Sequence, residues 1–407
     1  MNTNWRATTL GDLESEGGGV IQTGPFGSQL HSSDYSQTGS PVVMPTNIRE
    51  LRIDPAGIAR VSPKHVARLS RHVLRAGDIV YSRRGDVEKC ALITEDEAGW
   101  LCGTGCLLVR VGSEEVDARF VAYSLSHPET RAWISQHAVG ATMPNLNTSI
   151  LRKVPLTLPP IQEQRAIAET LAAMDDKIKS NRRVGELSAA LAQDHFRAWR
   201  AGLPPWGGSS RETWRQGRLG DVVELVKVPA KAGEYPDLPY VPIDMLPLRS
   251  LGLEEYRAND EAQSSLLRFE ENDILIGAMR VYFHRVVLAP FAGLTRTTSF
   301  VLRARDEAFL PFSLLLCNEA STISYAQSTS KGSTMPYAVW DGGLAELPTA
   351  IPPRDEAVAF SEYVRPLLNR VRDGFREQRR LSAMRDALLP ELLSGRIQAR
   401  EAAEAIR

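Results

Sequence analysis

The sequence predicts an α+β protein in which two mixed α/β domains are separated by two long antiparallel helices that form a coiled coil. Three observations support this class. Short apolar runs bounded by Gly, Asp and Arg indicate strands. Two long segments carry narrow, regularly spaced apolar seams flanked by charge. Motifs of the first half return in the second half, so the chain is expected to be a pseudo-two-fold internal repeat.

The repeat has a period close to half of the 407 residues. Four motifs return in the same order, and a long helical pattern closes each half. Because this collinear order is hard to produce by chance, each half is predicted to be a globular domain followed by a helix. The motifs, first copy and then second, are Trp5-Arg6 with Leu10-Gly11-Asp12 and Trp214-Arg215 with Leu219-Gly220-Asp221; Gly77-Asp78-Ile79-Val80 and Asn272-Asp273-Ile274-Leu275; Gly140-Ala141-Thr142-Met143-Pro144 and Gly332-Ser333-Thr334-Met335-Pro336; Val154-Pro155 and Leu347-Pro348.

Each globular part is predicted to mix strands with short helices, which makes it a mixed α/β domain. The double prolines Pro159-Pro160 and Pro352-Pro353 end the last strand of each part, and a helix starts directly after them. Strands are predicted at 78–81, 106–109, 274–276 and 299–302, and helices near 118–126 and 309–320.

The two long helices are predicted from Gln162 to Arg200 and from Asp355 to Leu393, each about 55–60 Å long. Since neither helix can bury a narrow seam alone, the two are expected to pair. The predicted seam of the first helix is Ile167, Leu171, Met174 and Ile178, continued after a shift by Val184, Leu187 and Leu191. That of the second is Phe360, Val364, Leu367, Val371, Phe375 and Leu381.

The chain therefore divides into a first domain at 1–160, a central helix at 161–203, a linker and second domain at 204–352, and a C-terminal helix at 353–407. Pro, Gly and Ser residues in the linker, Gly202–Pro205 and Gly207–Ser210, permit the chain to reverse. The loops Thr142–Asn147 and Ser333–Tyr337 are expected to fasten each domain to its helix.

Charge and composition limit the classes of function. A formal net charge of −1 argues against binding nucleic acid through bulk charge alone. However, nine Arg and Lys residues face only four acidic residues between Arg49 and Asp86, which fits either a DNA-facing surface or a solvated one. The sequence has neither a membrane-spanning run nor an apolar leader segment, so we expect a cytoplasmic protein whose four cysteines are reduced and buried.

The sequence motifs of catalysis do not occur in this chain. It lacks the P-loop pattern of nucleotide hydrolysis and the Asn-Pro-Pro-aromatic tetrad of adenine methyltransferases. The seven histidines lack metal-ligand spacing, and Asp78, Asp86 and Glu88 lack the spacing of a nuclease site. We therefore predict no catalytic residue, no metal site and no cofactor.

A duplicated domain on a rigid spacer suits a ligand with two sites at fixed separation, and double-stranded DNA is such a ligand. Two unlike domains in one chain would read an asymmetric, bipartite sequence, with the helices setting the unread gap. Two alternatives remain. One is a DNA-binding adaptor of a phage-defence system, and the other is a DNA-modifying enzyme with an unrecognised site.

Several motifs resemble those of type I restriction–modification specificity (S) subunits, and the resemblance spans nearly the whole chain. It implies a subunit without catalytic activity that joins two methyltransferase (M) subunits. Together with restriction (R) subunits, these would form an ATP-dependent nuclease. S-adenosylmethionine would belong to the M subunits, and the paired helices would act as a ruler and as part of the M-binding surface. The similar motifs are Leu158–Gln164 running into Ile167-Ala168, Leu171 and Asp175–Ile178; Thr23–Leu30; Gly77–Asp86; Gly140–Asn147; and Leu388–Ile397.

The second half departs from the pattern of the first, since Ile351–Glu356 has lost its glutamines, so the two halves are expected to read unequal sequences. Arg and Lys suit guanine and Asn and Gln suit adenine, although the same side chains also bind phosphate. The predicted DNA-contacting residues are Gln29, Asn47, Arg83, Arg84 and Lys89 in the first domain, and Lys227, Arg280, Tyr282, Arg296 and Lys331 in the second.

Overall fold

The first half of the computed structural model contains twelve strands and six helices within the residues that the structure describes, which are 5–49, 51–140, 142–206 and 213–406. Ala141 of the repeated motif and Gly207–Ser210 of the predicted linker lie outside them. The strands are β1 (Arg6–Thr9), β2 (Val20–Thr23), β3 (Tyr35–Ser36), β4 (Ser40–Val43), β5 (Ile48–Arg49), β6 (Arg52–Ile53), β7 (Ala59–Val61), β8 (Ile79–Ser82), β9 (Cys90–Leu92), β10 (Leu101–Cys102), β11 (Cys106–Arg110) and β12 (Pro155–Leu158). The helices are α1 (Leu10–Gly17), α2 (Pro63–Arg68), α3 (Ala118–Ser126), α4 (Pro128–His137), α5 (Thr148–Arg152) and α6 (Ile161–Ala201).

The second half contains nine further strands and four helices within the same described part of the chain. The strands are β13 (Arg215–Arg218), β14 (Val223–Leu225), β15 (Val228–Ala230), β16 (Leu266–Phe269), β17 (Ile274–Gly277), β18 (Val286–Leu288), β19 (Gly293–Arg296), β20 (Ser299–Ala304) and β21 (Pro348–Ile351). The helices are α7 (Leu310–Cys317), α8 (Ala320–Ser328), α9 (Arg354–Leu393) and α10 (Ala399–Ile406). The predicted long helices and the four predicted strands are confirmed to within two residues.

The internal repeat is confirmed by the topology of the sheets. Contacts divide the chain into unit 1, Met1–Met174 with Ala383–Arg407, and unit 2, Asp175–Ser382. Unit 1 contains an antiparallel sheet of order β2-β11-β8-β9, and unit 2 contains its counterpart, β14-β20-β17-β18. A two-stranded sheet joins the first and last strands of each domain, β1 with β12 and β13 with β21. The predicted α+β class, with two mixed domains and two long helices, is therefore confirmed.

The repeated Leu-Gly-Asp motif closes each domain onto its own last strand. The amide of Leu10 donates to the carbonyl of Val154 at 3.1 Å, and that of Leu219 donates to Leu347 at 3.0 Å. In both copies the Asp carboxylate accepts the backbone amide three residues before it, at 2.9 and 3.1 Å. The motif returns because the same closure is needed twice.

A buried ion pair also occurs once in each domain. Asp78 precedes β8 and receives two hydrogen bonds of 2.6 Å from Arg110 on β11. Asp273 precedes β17 and receives two of 2.7 Å from Arg303 on β20. Both carboxylates are 1% exposed and also accept a backbone amide of the preceding turn. Their role is to fix the turn that enters the central strand, so neither carboxylate faces solvent where a nuclease metal would bind.

The paired helices run antiparallel within unit 2. Trp199, near the end of α6, stacks on Phe360 near the start of α9, with ring centroids 4.1 Å apart. Lys177, much earlier in α6, forms an ion pair with Glu377, much later in α9. In unit 1 the remaining ends of the two helices belong to one hydrophobic cluster that contains Ile167, Leu171, Leu389 and Leu392.

The predicted seam of the first helix is correct as far as Ile178 and wrong beyond it. Val184, Leu187 and Leu191 are exposed by 42–52%. The two backbones approach too closely here for large side chains: an added Cβ at Gly185 would lie 3.9 Å from Val371 Cα, and one at Gly374 would lie 3.6 Å from the Asn181 carbonyl. Small and polar residues therefore fill the middle of the seam, which is Asn181, Gly185, Ser188 and Ala192. The buried aromatic residues Phe196 and Trp199 continue it toward the end of α6. On α9, Leu367 and Leu381 are half-buried, whereas the other predicted seam residues are buried.

The four cysteines are free and buried, as predicted. Burial raises the pKa of the Cys90, Cys102 and Cys317 thiols to about 12, and it raises that of Cys106 as well. A thiol that stays protonated is a poor nucleophile. Across the described residues, the structure has no helix that is both long and apolar enough to cross a membrane.

Candidate nucleic-acid interface

Five of the predicted site residues lie on one structural element that occurs in both domains. This element, the central hairpin, comprises residues 83–89 between β8 and β9 and residues 278–285 between β17 and β18. The first copy carries Arg83, Arg84 and Lys89, and the second carries Arg280 and Tyr282. Of these, Arg84, Lys89, Arg280 and Tyr282 are exposed and Arg83 is half-buried.

A second loop, the clasp, lies against the first central hairpin. Its described residues are 139–140 and 142–145, and its two end residues, Val139 and Asn145, are joined by backbone hydrogen bonds of 3.0 and 2.9 Å. The amide of Gly85 in the hairpin donates to the carbonyl of Pro144 in the clasp at 3.1 Å. We expected this loop to fasten the domain to its helix; instead it is joined to the hairpin that carries the predicted arginines.

The second domain repeats this geometry bond for bond. Its clasp comprises Lys331–Tyr337, whose end residues are joined by two bonds of 2.9 Å. The amide of Arg280 donates to the carbonyl of Pro336 at 2.7 Å, as Gly85 does to Pro144. The predicted contact residue Lys331 therefore lies on the clasp that is bonded to the hairpin bearing Arg280 and Tyr282.

The residue that bonds the clasp has a left-handed backbone in both domains. Gly85 has a φ of 75° and Arg280 has a φ of 50°. Glycine adopts this region freely, whereas an L-residue such as Arg does so at a cost of about 1–2 kcal/mol. Residues held in such conformations concentrate at functional sites. Arg280 is thus one of five residues of the second domain, with Arg249, Ser265, Asn272 and His284, whose side chain is retained against backbone preference.

Aromatic and apolar side chains surround the basic residues, and sequence reasoning missed most of them. In the second domain, His284 also has a left-handed φ of 54°, and its ring bonds Asn318, so the turn between Arg280 and His284 presents Phe283 beside Tyr282. At the tips of the clasps, Met143 and Met335 are 62% and 55% exposed. The signal for these methionines was the repeated Gly-x-Thr-Met-Pro motif, which we had assigned to fastening.

Phe26 links Gln29 to the first hairpin: its backbone amide bonds Gln29, and its ring lies near Arg83. The guanidinium of Arg83 lies 5.8 Å from the centroid of the Phe26 ring, and the amide of Phe26 donates to Gln29 Oε1 at 3.1 Å. Lys89 is held by an ion pair with Asp86 at 2.5 Å. The structure therefore brings Gln29 to the hairpin that bears Arg83, Arg84 and Lys89.

Arg296 lies next to the second hairpin, and Lys227 lies outside it. Arg296 ends β19 and is exposed, and two residues later the carbonyl of Thr298 accepts the amides of Ala278 and Met279, at 2.9 and 3.3 Å. Lys227 is an exposed residue directly before β15.

Asn47 is a predicted contact residue that the structure buries, with its side-chain amide used inside the fold. It is only 5% exposed; its Oδ1 accepts the amide of Met44 at 3.0 Å, and its Nδ2 donates to the carbonyl of Asp54 at 3.1 Å. Because both ends of the amide are occupied in a turn, we leave Asn47 out of the proposed interface.

The assembled tip offers cations, hydrogen-bond donors and aromatic faces, which are the groups that bind phosphates and base edges. Among the described residues the structure has no group of three His, Cys, Asp or Glu side chains placed to hold a metal ion. The arrangement suits recognition.

Comparison with known proteins gives consistent matches, and the resemblance noted in the sequence is confirmed. Residues 28–186 match the family described as "Type I restriction modification DNA specificity domain". The type I restriction enzyme MjaIX specificity subunit of Methanocaldococcus jannaschii is 22% identical over 319 residues, which cover 72% of each chain. The HindI specificity subunit of Haemophilus influenzae is 21% identical over 171 residues, which cover 41% of this chain and 37% of that one.

Among solved structures, the type I restriction–modification system S subunit from M. genitalium aligns with a TM-score of 0.62 over 96% of both chains, at 16% sequence identity. At this level of identity the likeness shows a shared fold.

Proposed function

We propose, from the premise that residues 28–186 belong to the type I restriction modification DNA specificity domain family, that this chain is the specificity subunit of a type I restriction–modification complex. It binds double-stranded DNA sequence-specifically, and its two recognition domains, at 1–160 and 204–352, each read one half of a bipartite target. The observation that carries the proposal is the hairpin-and-clasp tip, built twice with the same hydrogen bonds and different exposed side chains.

The residues proposed to contact DNA are those that the structure leaves exposed or half-exposed around the two tips, together with Lys227. Most are cationic, so they can neutralise phosphates, and an Arg can also bond O6 and N7 of guanine. The first domain contributes Gln29, Arg83, Arg84 and Lys89, and the second contributes Lys227, Arg280, Tyr282, Arg296 and Lys331.

The long helices are proposed to set the number of unread base pairs between the half-sites. Helices of 41 and 40 residues are each about 60 Å long. A seven-residue insert in each would preserve the seam and lengthen the helix by about 10 Å, which corresponds to about three base pairs. We expect a gap longer by that amount with both half-sites unchanged. An unchanged gap would contradict the role as a ruler.

The M subunits are proposed to dock on an apolar stripe of the first long helix. This stripe, the outer stripe of α6, comprises Val184, Leu187 and Leu191. They recur at helical spacing, are exposed, and lie outside the seam that α9 covers. An apolar stripe of this kind fits a protein partner. Leu187→Glu should abolish co-purification of the M subunit, whereas Ala190→Glu, an exposed position on the same helix beside the stripe, should not. Equal retention of the M subunit by both variants would contradict this docking site.

The chain is proposed to be non-catalytic and to act in the cytoplasm, where target DNA is met. Methyl transfer from S-adenosylmethionine would be the reaction of two M subunits, and ATP-dependent cleavage that of the R subunits. The purified chain should therefore bind a target duplex without methylating or cutting it. Methylation by the chain alone would contradict the proposal.

A base-resolution methylation map of the host genome, with and without this chain, tests the whole proposal. Loss of one bipartite adenine-methylated motif is the expected result and also reveals the target. An unchanged map, together with co-purifying proteins that contain no methyltransferase, would favour a DNA-binding adaptor of another defence system.

A further inference from the structure

In the two hairpin-and-clasp tips, some equivalent positions carry the same residue and others carry different residues. The backbone bonds pair residue 83 with 278, 84 with 279, 85 with 280, 139 with 331 and 145 with 337. The clasp tips carry the same Thr-Met-Pro in both domains, at 142–144 and 334–336. Of the five pairs, Arg83 and Ala278 also differ, but Ala278 is buried. The other four pairs carry unlike side chains, which are Arg84 and Met279, Gly85 and Arg280, Val139 and Lys331, and Asn145 and Tyr337.

The two tips share their backbone hydrogen bonds and differ in their side chains, so only the side chains that differ can select different DNA sequences. Residues that are identical in both tips cannot distinguish two unlike half-sites. Residues that differ can do so, and the first tip offers a guanidinium and an amide where the second offers a guanidinium, an ammonium and a phenol. Arg pairs best with guanine and Asn with adenine, so the two tips prefer different bases.

Two independent observations favour this division of roles. In the first tip, Asn145 Oδ1 is buried without a hydrogen-bond partner among the described residues, and so is Arg83 Nε. Buried polar atoms normally have a partner; a base amino group could donate to Asn145 Oδ1, and a base or phosphate oxygen could accept from Arg83 Nε. In the second tip, Arg280 occupies the left-handed position where the first tip has Gly85, so its side chain is kept despite backbone strain.

The geometry points to the following assignment, which rests on the proposed function: the four paired positions 84/279, 85/280, 139/331 and 145/337 set the sequence of each half-site. The exposed tip with Met143 or Met335 makes the same sequence-independent contact with DNA in both domains. Exposed apolar side chains of this type can wedge between base steps and form no hydrogen bond to a base edge.

Arg280→Gly tests the assignment most directly. The variant restores the glycine of the first tip and relieves strain, so its thermal midpoint should be equal to or above that of the unaltered chain. In the complex with the M subunits, methylation of duplexes randomised in the second half-site should lose about tenfold or more in discrimination at one base. Selection in the first half-site should not change. Lys331→Val should likewise alter only the second half-site.

Met335→Ala is the matched control, because it changes a shared position of the same clasp. It should weaken binding to target and non-target duplexes alike, measured by fluorescence anisotropy, and leave the methylated motif unchanged. Folded Arg280→Gly and Lys331→Val variants that keep the original discrimination would overturn the assignment and leave the proposed function intact. A complex of the unaltered chain that methylates no defined motif would instead overturn the proposed function.

Discussion

The helix seam of unit 2 gives the sharpest test of the packing, through the substitution Phe360→Ala. The Phe360 ring is fully buried. It stacks on Trp199 with centroids 4.1 Å apart and a 7° interplanar angle, and its centroid lies 5.4 Å from that of Trp206 and 6.1 Å from that of Phe196. Truncation would remove a whole ring from three aromatic neighbours, so the cavity cannot close by a small adjustment.

The expected loss in the free energy of unfolding is large. A buried Phe→Ala change costs about 3–5 kcal/mol, and aromatic pairs add about 0.5–1.5 kcal/mol beyond the area they bury. We therefore expect about 4 kcal/mol. With an m value of about 3 kcal/mol/M for a unit of this size, the urea midpoint of unit 2 should fall by about 1.3 M.

Tryptophan fluorescence of the full chain is a suitable assay, because Trp199, Trp206, Trp214 and Trp340 all belong to unit 2. Leu191→Ala, on the outer stripe of α6, is the control and should cost about 0.5 kcal/mol or less. If Leu191→Ala destabilised unit 2 as much as Phe360→Ala does, the seam assigned to α6 would be on the wrong face.

Other consequences concern buried polar groups. Asp273→Asn should destabilise unit 2 by about 2–3 kcal/mol, measured in a thermal melt. The loss is smaller than for a fully buried pair because the Arg303 side chain is 42% exposed. An unchanged melting temperature would exclude a structural role for this pair. Burial lowers the pKa of His72 to about 4, so below pH 6.5 the unfolded chain binds a proton that the folded chain does not. The unfolding free energy of unit 1 should therefore fall by up to about 3 kcal/mol between pH 6.5 and 4, and His72→Gln should reduce this fall, which urea titrations at several pH values would measure. Finally, the four buried thiols should not react with Ellman's reagent in the native chain and should all react in denaturant; rapid native labelling would contradict their burial.

The sequence was sufficient to predict features that local physics or repetition determines. The double prolines mark the starts of α6 and α9, because proline ends a strand and suits the first turn of a helix. The repeated Leu-Gly-Asp and Gly-x-Thr-Met-Pro motifs marked two copies of one domain. In each case a short segment carries its own structural reason, which is visible without its neighbours.

Features that depend on distance between elements could not be predicted. Apolarity placed Val184, Leu187 and Leu191 in the seam, but the close approach of the helices at Gly185 and Gly374 reserves that face for small side chains. The clasp was misassigned for a similar reason. Its partner is a hairpin almost 60 residues earlier in the chain, and only the fold shows that the two meet.

The stability of each tip is carried by groups other than those proposed to read DNA. The Asp78–Arg110 and Asp273–Arg303 pairs fix the turn that enters the central strand, and backbone hydrogen bonds hold the clasp to the hairpin. None of these bonds uses an exposed side chain at the four varied positions. Substitution at the exposed members of these four pairs of positions, Arg84, Val139, Arg280, Lys331 and Tyr337, should therefore cost little folding free energy, as expected of surface positions. A frame of this kind lets one half-site change while the fold, the other half-site and the helices that join them stay the same.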